Sequence, residues 1–168
     1  MTTPPSQSSA EMSFRGGMAA LEKRCYKESI ALFREAIERE RLEGVKNPKM
    51  KYVSYFGYAL TLANGKSEEG LRLCEQAVKR DFFDADLFCN LGIVYLRHRQ
   101  KARAFEAFQK GLNLRPAHPR IVEELDRYDQ RDQPIFAFLP RGHLVNRLAG
   151  RLRYRLRAIL GGTFTSWN

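Results

Sequence analysis

Side chains able to act as bases, nucleophiles or metal ligands are few in this 168-residue sequence, and their spacing suits none of those tasks. His98 falls at a helix end among arginines, His118 in a proline-bounded turn and His143 at a helix start. None has a cysteine or carboxylate at ligand spacing, so structural or solvent-facing roles are the reading. Cys25, Cys74 and Cys89 form no CxxC pair, and an odd count argues against a disulfide framework. They read as small buried apolar residues, reduced in a cytosol-like compartment. Asp81, Asp84 and Asp86 cluster as a calcium loop does, but the glycine and terminal glutamate of such a loop are missing. Asp84 reads instead as the N-cap of a helix, its carboxylate meeting free amide hydrogens. Gly16-Gly17 precedes no Lys-Ser or Lys-Thr and follows no strand, which excludes a phosphate-cradling loop. The expectation is a chain that is not an enzyme, with no catalytic set, no metal and no cofactor.

The elements that carry these residues are set by composition and periodicity. A hydrophobic fraction of 43% excludes wholesale disorder and supplies a core for one domain with tails. The net charge of +10 directs attention to acidic partners: nucleic acid, an anionic membrane surface or an acidic protein face. That excess is uneven, since residues 134–168 hold six arginines and no acid, leaving +4 for the rest. The start of the chain has no basic segment followed by an apolar run, so no secretory signal is expected. No stretch approaches ~18 apolar residues, so none is expected to span a membrane.

From Asp84 onward a pattern can be followed position by position. Phe88, Leu91, Gly92, Tyr95, Ala104, Phe108 and Pro116 stand at the spacing aromatic-x2-L-G-x2-Y, A-x3-F, P. Leu91 and Tyr95 share one stripe of a first helix, Ala104 and Phe108 one stripe of a second, and Gly92 lets the backbones approach. Pro116 closes the unit, lacking an amide hydrogen and disfavouring the α conformation at Arg115. This resembles the tetratricopeptide-repeat (TPR) signature. Two weaker copies precede it. Gly17, Tyr26, Phe33 and Ala36 keep the register in the first, where Gly16, Ala20 and Ser29 depart from it. Tyr52, Phe56, Gly57 and Leu60, then Gly70, Cys74 and Ala77 after one extra turn residue, keep it in the second.

The resemblance implies an all-α fold, antiparallel helical hairpins stacked as a short superhelix. Residues 1–9 are predicted disordered, and 10–131 form the TPR domain, with units at about 10–43, 50–84 and 85–118 and a capping helix at 119–131. Gly44 to Pro48 is a short insertion between the first two units. A proline-bounded connector, 132–142, leads to an amphipathic helix, 143–160, and a tail, 161–168. In that helix Leu144, Leu148, Leu152, Leu156 and Leu160 recur every fourth residue, and with Val145, Ala149 and Ile159 they make an apolar arc of about 160°. Arg147, Arg151, Arg153 and Arg157 lie outside the arc and Arg155 near its edge, so the polar face is wholly basic.

What the resemblance implies for function is a protein-interaction adaptor or scaffold that takes a partner helix or peptide in the concave groove lined by first helices. Carried over by position, the groove residues are Phe14, Met18 and Leu21, then Tyr58 and Leu62, then Cys89, Ile93 and Leu96. Some TPR domains clamp a chaperone's terminal carboxylate with Lys, Asn and Arg. The matching places here hold Phe14, Met18, Tyr55, Asp86 and Asn90, which disfavours such a clamp. The competing reading is a peripheral membrane or polyanion-binding protein in which Leu152 and Leu156 enter the acyl boundary while the arginines meet headgroups. Nucleic acid is disfavoured, because phosphate contacts leave the leucine ladder unexplained. The compartment expected is the cytoplasm, with membrane association under the second reading.

Overall fold

The computed structural model describes residues 8–46 and 48–129. These hold seven α-helices and no strand: α1 (Ser9–Glu22), α2 (Tyr26–Leu42), α3 (Met50–Asn64), α4 (Glu68–Arg80), α5 (Ala85–Arg97), α6 (Lys101–Leu114) and α7 (Pro119–Asp129). The chain divides into two compact units, the first ending at Leu114 and the second beginning at Arg115. The connector, the basic helix with Arg147, Arg151, Leu152, Arg153, Arg155, Leu156 and Arg157, the tail and residues 1–7 lie outside the described residues.

In the first unit α1 pairs with α2, α3 with α4 and α5 with α6, and the second helix of each hairpin packs on the first helix of the next. α3 and α5 also touch directly. First helices thus make one layer and second helices the other. Each hairpin crosses at the glycine that the spacing singled out. A Cβ on Gly17 would stand 2.6 Å from the Phe33 ring, and one on Gly92 would overlap the Phe108 ring. The middle hairpin crosses more closely. There a Cβ on Gly57 would meet the Gly70 carbonyl oxygen at 2.7 Å and Leu73 Cβ at 2.9 Å, and the small Cys74 fills the place that phenylalanine holds elsewhere.

The turns repeat as well. Arg24 and Arg99 each adopt a φ of 59°, and each turn closes with the same pair of backbone bonds. The Arg24 amide donates to Leu21 and the Cys25 amide to Ala20; the Arg99 amide donates to Leu96 and the Gln100 amide to Tyr95. The middle turn has the same three residues but follows a first helix that runs farther past its glycine, and it places Gly65 in the left-handed region, at φ 75°. Side-chain caps fix three helix starts, where Ser8 accepts from the Glu11 amide, Ser67 from the Gly70 amide and Asp84 from the Asp86 amide.

Between the first two hairpins lies an aromatic core. Phe14 stacks on Tyr52 with centroids 4.6 Å apart and meets Phe33 at 5.5 Å and Tyr55 at 5.4 Å, among Ala10, Ala36 and Ala59. Met50, Val53, Ala77 and Leu87 form a second cluster that joins the middle hairpin to α5. α5 is buried without a break from Leu87 to Tyr95, and its one strongly polar residue in that run, Asn90, donates to Ser54 Oγ at 3.1 Å.

A buried carboxylate anchors the insertion. Glu40 is 4% exposed and accepts the Lys49 amide hydrogen at 2.7 Å, in the cap position of α3. Lys49 Nζ lies 3.9 Å from Glu40 and 3.7 Å from Glu11, and Glu11 accepts the Tyr52 hydroxyl at 2.7 Å. That bond holds the Glu11 carboxyl below its ordinary pKa, while burial and the Glu11 partner push the Tyr52 phenol upward.

In the second unit, α7 begins at Pro119, with His118 Nδ1 accepting the Ile121 amide hydrogen at 3.4 Å. Arg127 bridges Glu123 and Glu124, each at 2.7 Å, along its exposed side.

Candidate interaction surface

The first-helix layer holds all eight residues that the sequence assigns to a groove, and they sit at two depths. Phe14, Cys89 and Ile93 are buried, Phe14 inside the aromatic core. Met18, Leu21, Tyr58, Leu62 and Leu96 are half-buried. Met18, Leu21 and Tyr58 pack on the core that contains Phe14, and Tyr58 meets the edge of Tyr55 at 6.5 Å. α1, α3 and α5 are tied together across this layer by the Phe14–Tyr52 stack, the Tyr52–Glu11 hydrogen bond, the Asn90–Ser54 bond and the Lys51–Asp86 ion pair at 3.4 Å. Asn90 and Asp86, at places where a terminal carboxylate could be clamped, are thereby engaged with α3.

Two buried groups in the first unit, Cys74 and Tyr95, are held protonated near neutrality. Burial pushes the Cys74 thiol up to about 12, and its sulfur donates to the Ser54 carbonyl at 3.4 Å. Burial and the hydrogen bond to Glu75 push the Tyr95 phenol up to about 12. A general acid or base works best with a pKa near the operating pH, and these groups sit far above it. Among the described residues no group of three His, Cys, Asp or Glu side chains converges as a metal site does. No helix there is long and apolar enough to cross a membrane.

Two residues lie otherwise than their sequence surroundings suggest. His98 is buried, and its Nε2–H donates to the Ser67 carbonyl at 3.1 Å, tying the end of α5 to the start of α4. Its neighbours Arg97 and Arg99 are exposed, so the charged run around it disguised an inward-facing ring. Cys25 departs from the expectation of burial: it is exposed at the start of α2, because the turn it belongs to lies on the surface.

No family model matches the chain, and no curated protein matches it. Among solved structures the chain is similar to YrrB, described as a TPR protein with an unusual peptide-binding site. The two share 19% identity at a TM-score of 0.44, over 71% of this chain and 75% of that one. Its own geometry, with a glycine crossing in every hairpin, a recurring left-handed turn and second helices packed on the first helices that follow, gives the first unit the fold of a short tetratricopeptide-repeat stack.

Proposed function

We propose that this chain is a non-enzymatic protein-interaction adaptor that receives a helix or peptide of a partner along the first-helix layer. One observation carries the reading. Met18, Leu21, Tyr58, Leu62 and Leu96 stay half-buried in that layer while the residues behind them, Phe14, Tyr55, Cys89 and Ile93, are packed. Apolar side chains on a rigid backing cost little ordering entropy when a partner arrives. Tyr58 adds an aromatic body with a polar tip, a residue type that dominates binding hot spots. A partner helix would meet this row with apolar anchors at i, i+3, i+4 and i+7.

The test is capture of partners from native cells with the full chain, comparing wild type with the double variant Tyr58→Asp, Leu62→Asp. Both positions are half-buried, so circular dichroism should show the helical content retained. Specific partners should be lost from the variant by about tenfold or more, as removal of two anchors implies. An unchanged set of partners at equal yield would contradict the reading.

A further inference from the structure

The outer layer carries a second concave feature, away from the surface just described. A groove of about 780 Å3 runs between α4 and α6. Its floor is apolar and nearly buried, made of Phe88, Leu91 and Tyr95 from α5 with Ala107 from α6. Ala107 keeps the floor low, since a larger side chain at that place on α6 would project into the groove. Along α6 the lining runs from Arg103 to Leu114, eleven residue steps or roughly 16 Å, which is the length of about three helical turns.

One end is apolar and open. Phe82 is 57% exposed, Phe83 74% and Leu114 40%. Phe82 and Phe83 lie against each other with centroids 4.2 Å apart, and Asp81 accepts the Phe83 amide hydrogen at 3.2 Å, which fixes the turn that displays them. Exposed apolar side chains at the rim of a groove mark an interaction site more often than isolated ones do.

Charge selects the occupant. Toward the start of α6 the groove is internally neutralised: Glu75 accepts the Tyr95 hydroxyl at 2.8 Å and lies 3.8 Å from Arg103, whose guanidinium sits 5.5 Å over the Tyr95 ring. Farther along, Lys79 on one wall and Lys110 on the other are exposed, and neither has an ion-pair partner among the described residues. Unpaired cations on both walls above an apolar floor suit a ligand with carboxylates flanking apolar anchors. A second copy of this chain, itself at +10, meets these lysines with like charge.

We propose that the groove between α4 and α6 is a second docking surface, whose occupant is a short acidic amphipathic helix of another protein. Its apolar side chains would cover Leu91 and Ala107 and pack against Phe82, with carboxylates between Lys79 and Lys110. Glu106, on the α6 wall, repels the acidic portion from the opposite end and so sets the direction of the helix.

The test uses the full chain labelled with nitrogen-15. The probes are a synthetic helical peptide with leucines at i, i+3 and i+7 and glutamates elsewhere, and the same peptide with lysines in place of the glutamates. The acidic peptide should move the amide resonances of Val78, Phe82, Ala107 and Asn113 and leave those of Tyr58 and Leu62 in place. Lys79→Glu with Lys110→Glu should weaken it about tenfold, both lysines being exposed and unnecessary for folding. Equal binding of the two peptides, absence of binding, or shifts confined to Tyr58 and Leu62 would each overturn the proposal. Anionic phosphatidylserine vesicles that broaden Phe82 and Phe83 where the acidic peptide does not would mark a lipid-facing surface and overturn it too. Shifts at the inner residues alone would leave the adaptor reading standing, so the two ideas fail separately.

Discussion

Ser29 shows how one atom records a departure from the repeat. It stands where a repeat unit places a small alanine, it is fully buried, and its Oγ has no hydrogen-bond partner among the described residues. A buried hydroxyl left unpaired costs about 1–3 kcal/mol, and alanine is the better helix former besides. Ser29→Ala should therefore raise stability by about 1 kcal/mol, read as a higher denaturant midpoint at constant slope. Gly92→Leu has the opposite sign, because even a Cβ there overlaps the Phe108 ring. It should lower stability by about 3 kcal/mol or more, measured as the fall in melting temperature. The thiols separate by access. Cys25 should react with a thiol reagent in the native protein, while Cys74 and Cys89, both 0% exposed, should react only on unfolding. At this scale the sequence was legible where a residue type has one steric use, as at Gly92, Phe108 and Asp84. It was not legible at Glu40 or His98, whose charged neighbours in sequence point outward while they point in.

Each hairpin joins its two helices through three residues, yet the middle one turns and reaches its crossing differently. One residue more between Gly57 and α4's packing position shifts α4 by one place, which brings Gly70 against the Gly57 backbone and leaves room only for a thiol at position 74. Restoring the aromatic that the other hairpins carry should therefore harm rather than help. Cys74→Phe is expected to destabilise by about 1–3 kcal/mol or more through overpacking, checked by chemical denaturation. The elements also differ in how they answer to pH. Tyr95 and Cys74 have pKa values raised to about 12 in the fold, against 10.0 and 9.0 for the free groups. A raised pKa contributes stability that is complete below the unfolded value and is lost as pH climbs through the folded one. Melting temperature should thus decline between pH 9 and 12, and Tyr95→Phe, with no phenol to ionise, should decline less steeply above pH 10. Helix positions and the insertion were readable from period and turn residues. The Glu40–Lys49 cap that secures the insertion joins residues nine apart through a loop, and no helical or strand periodicity signals such a bond.

At the scale of the molecule, the stack turns its two layers to different uses. Among the first helices α5 is the deepest, buried without a break from Leu87 to Tyr95, and the layer keeps a row of half-buried apolar residues from Met18 to Leu96. Second helices carry more exposed charge than first helices do, together with the groove beside Phe82. The sequence marked the first-helix row by register alone, but depth depends on how tightly successive hairpins pack, and for that reason Phe14 and Leu62 looked alike until their neighbours were in place. The proposed adaptor function rests on that row. It is tested most directly by placing a photo-crosslinking amino acid at Leu62 in the full chain, and at Gln76 on exposed α4 as the control, in native cells. The account predicts a discrete crosslinked partner from position 62 that is absent from position 76. No adduct from position 62, or the same adduct from both, would contradict it.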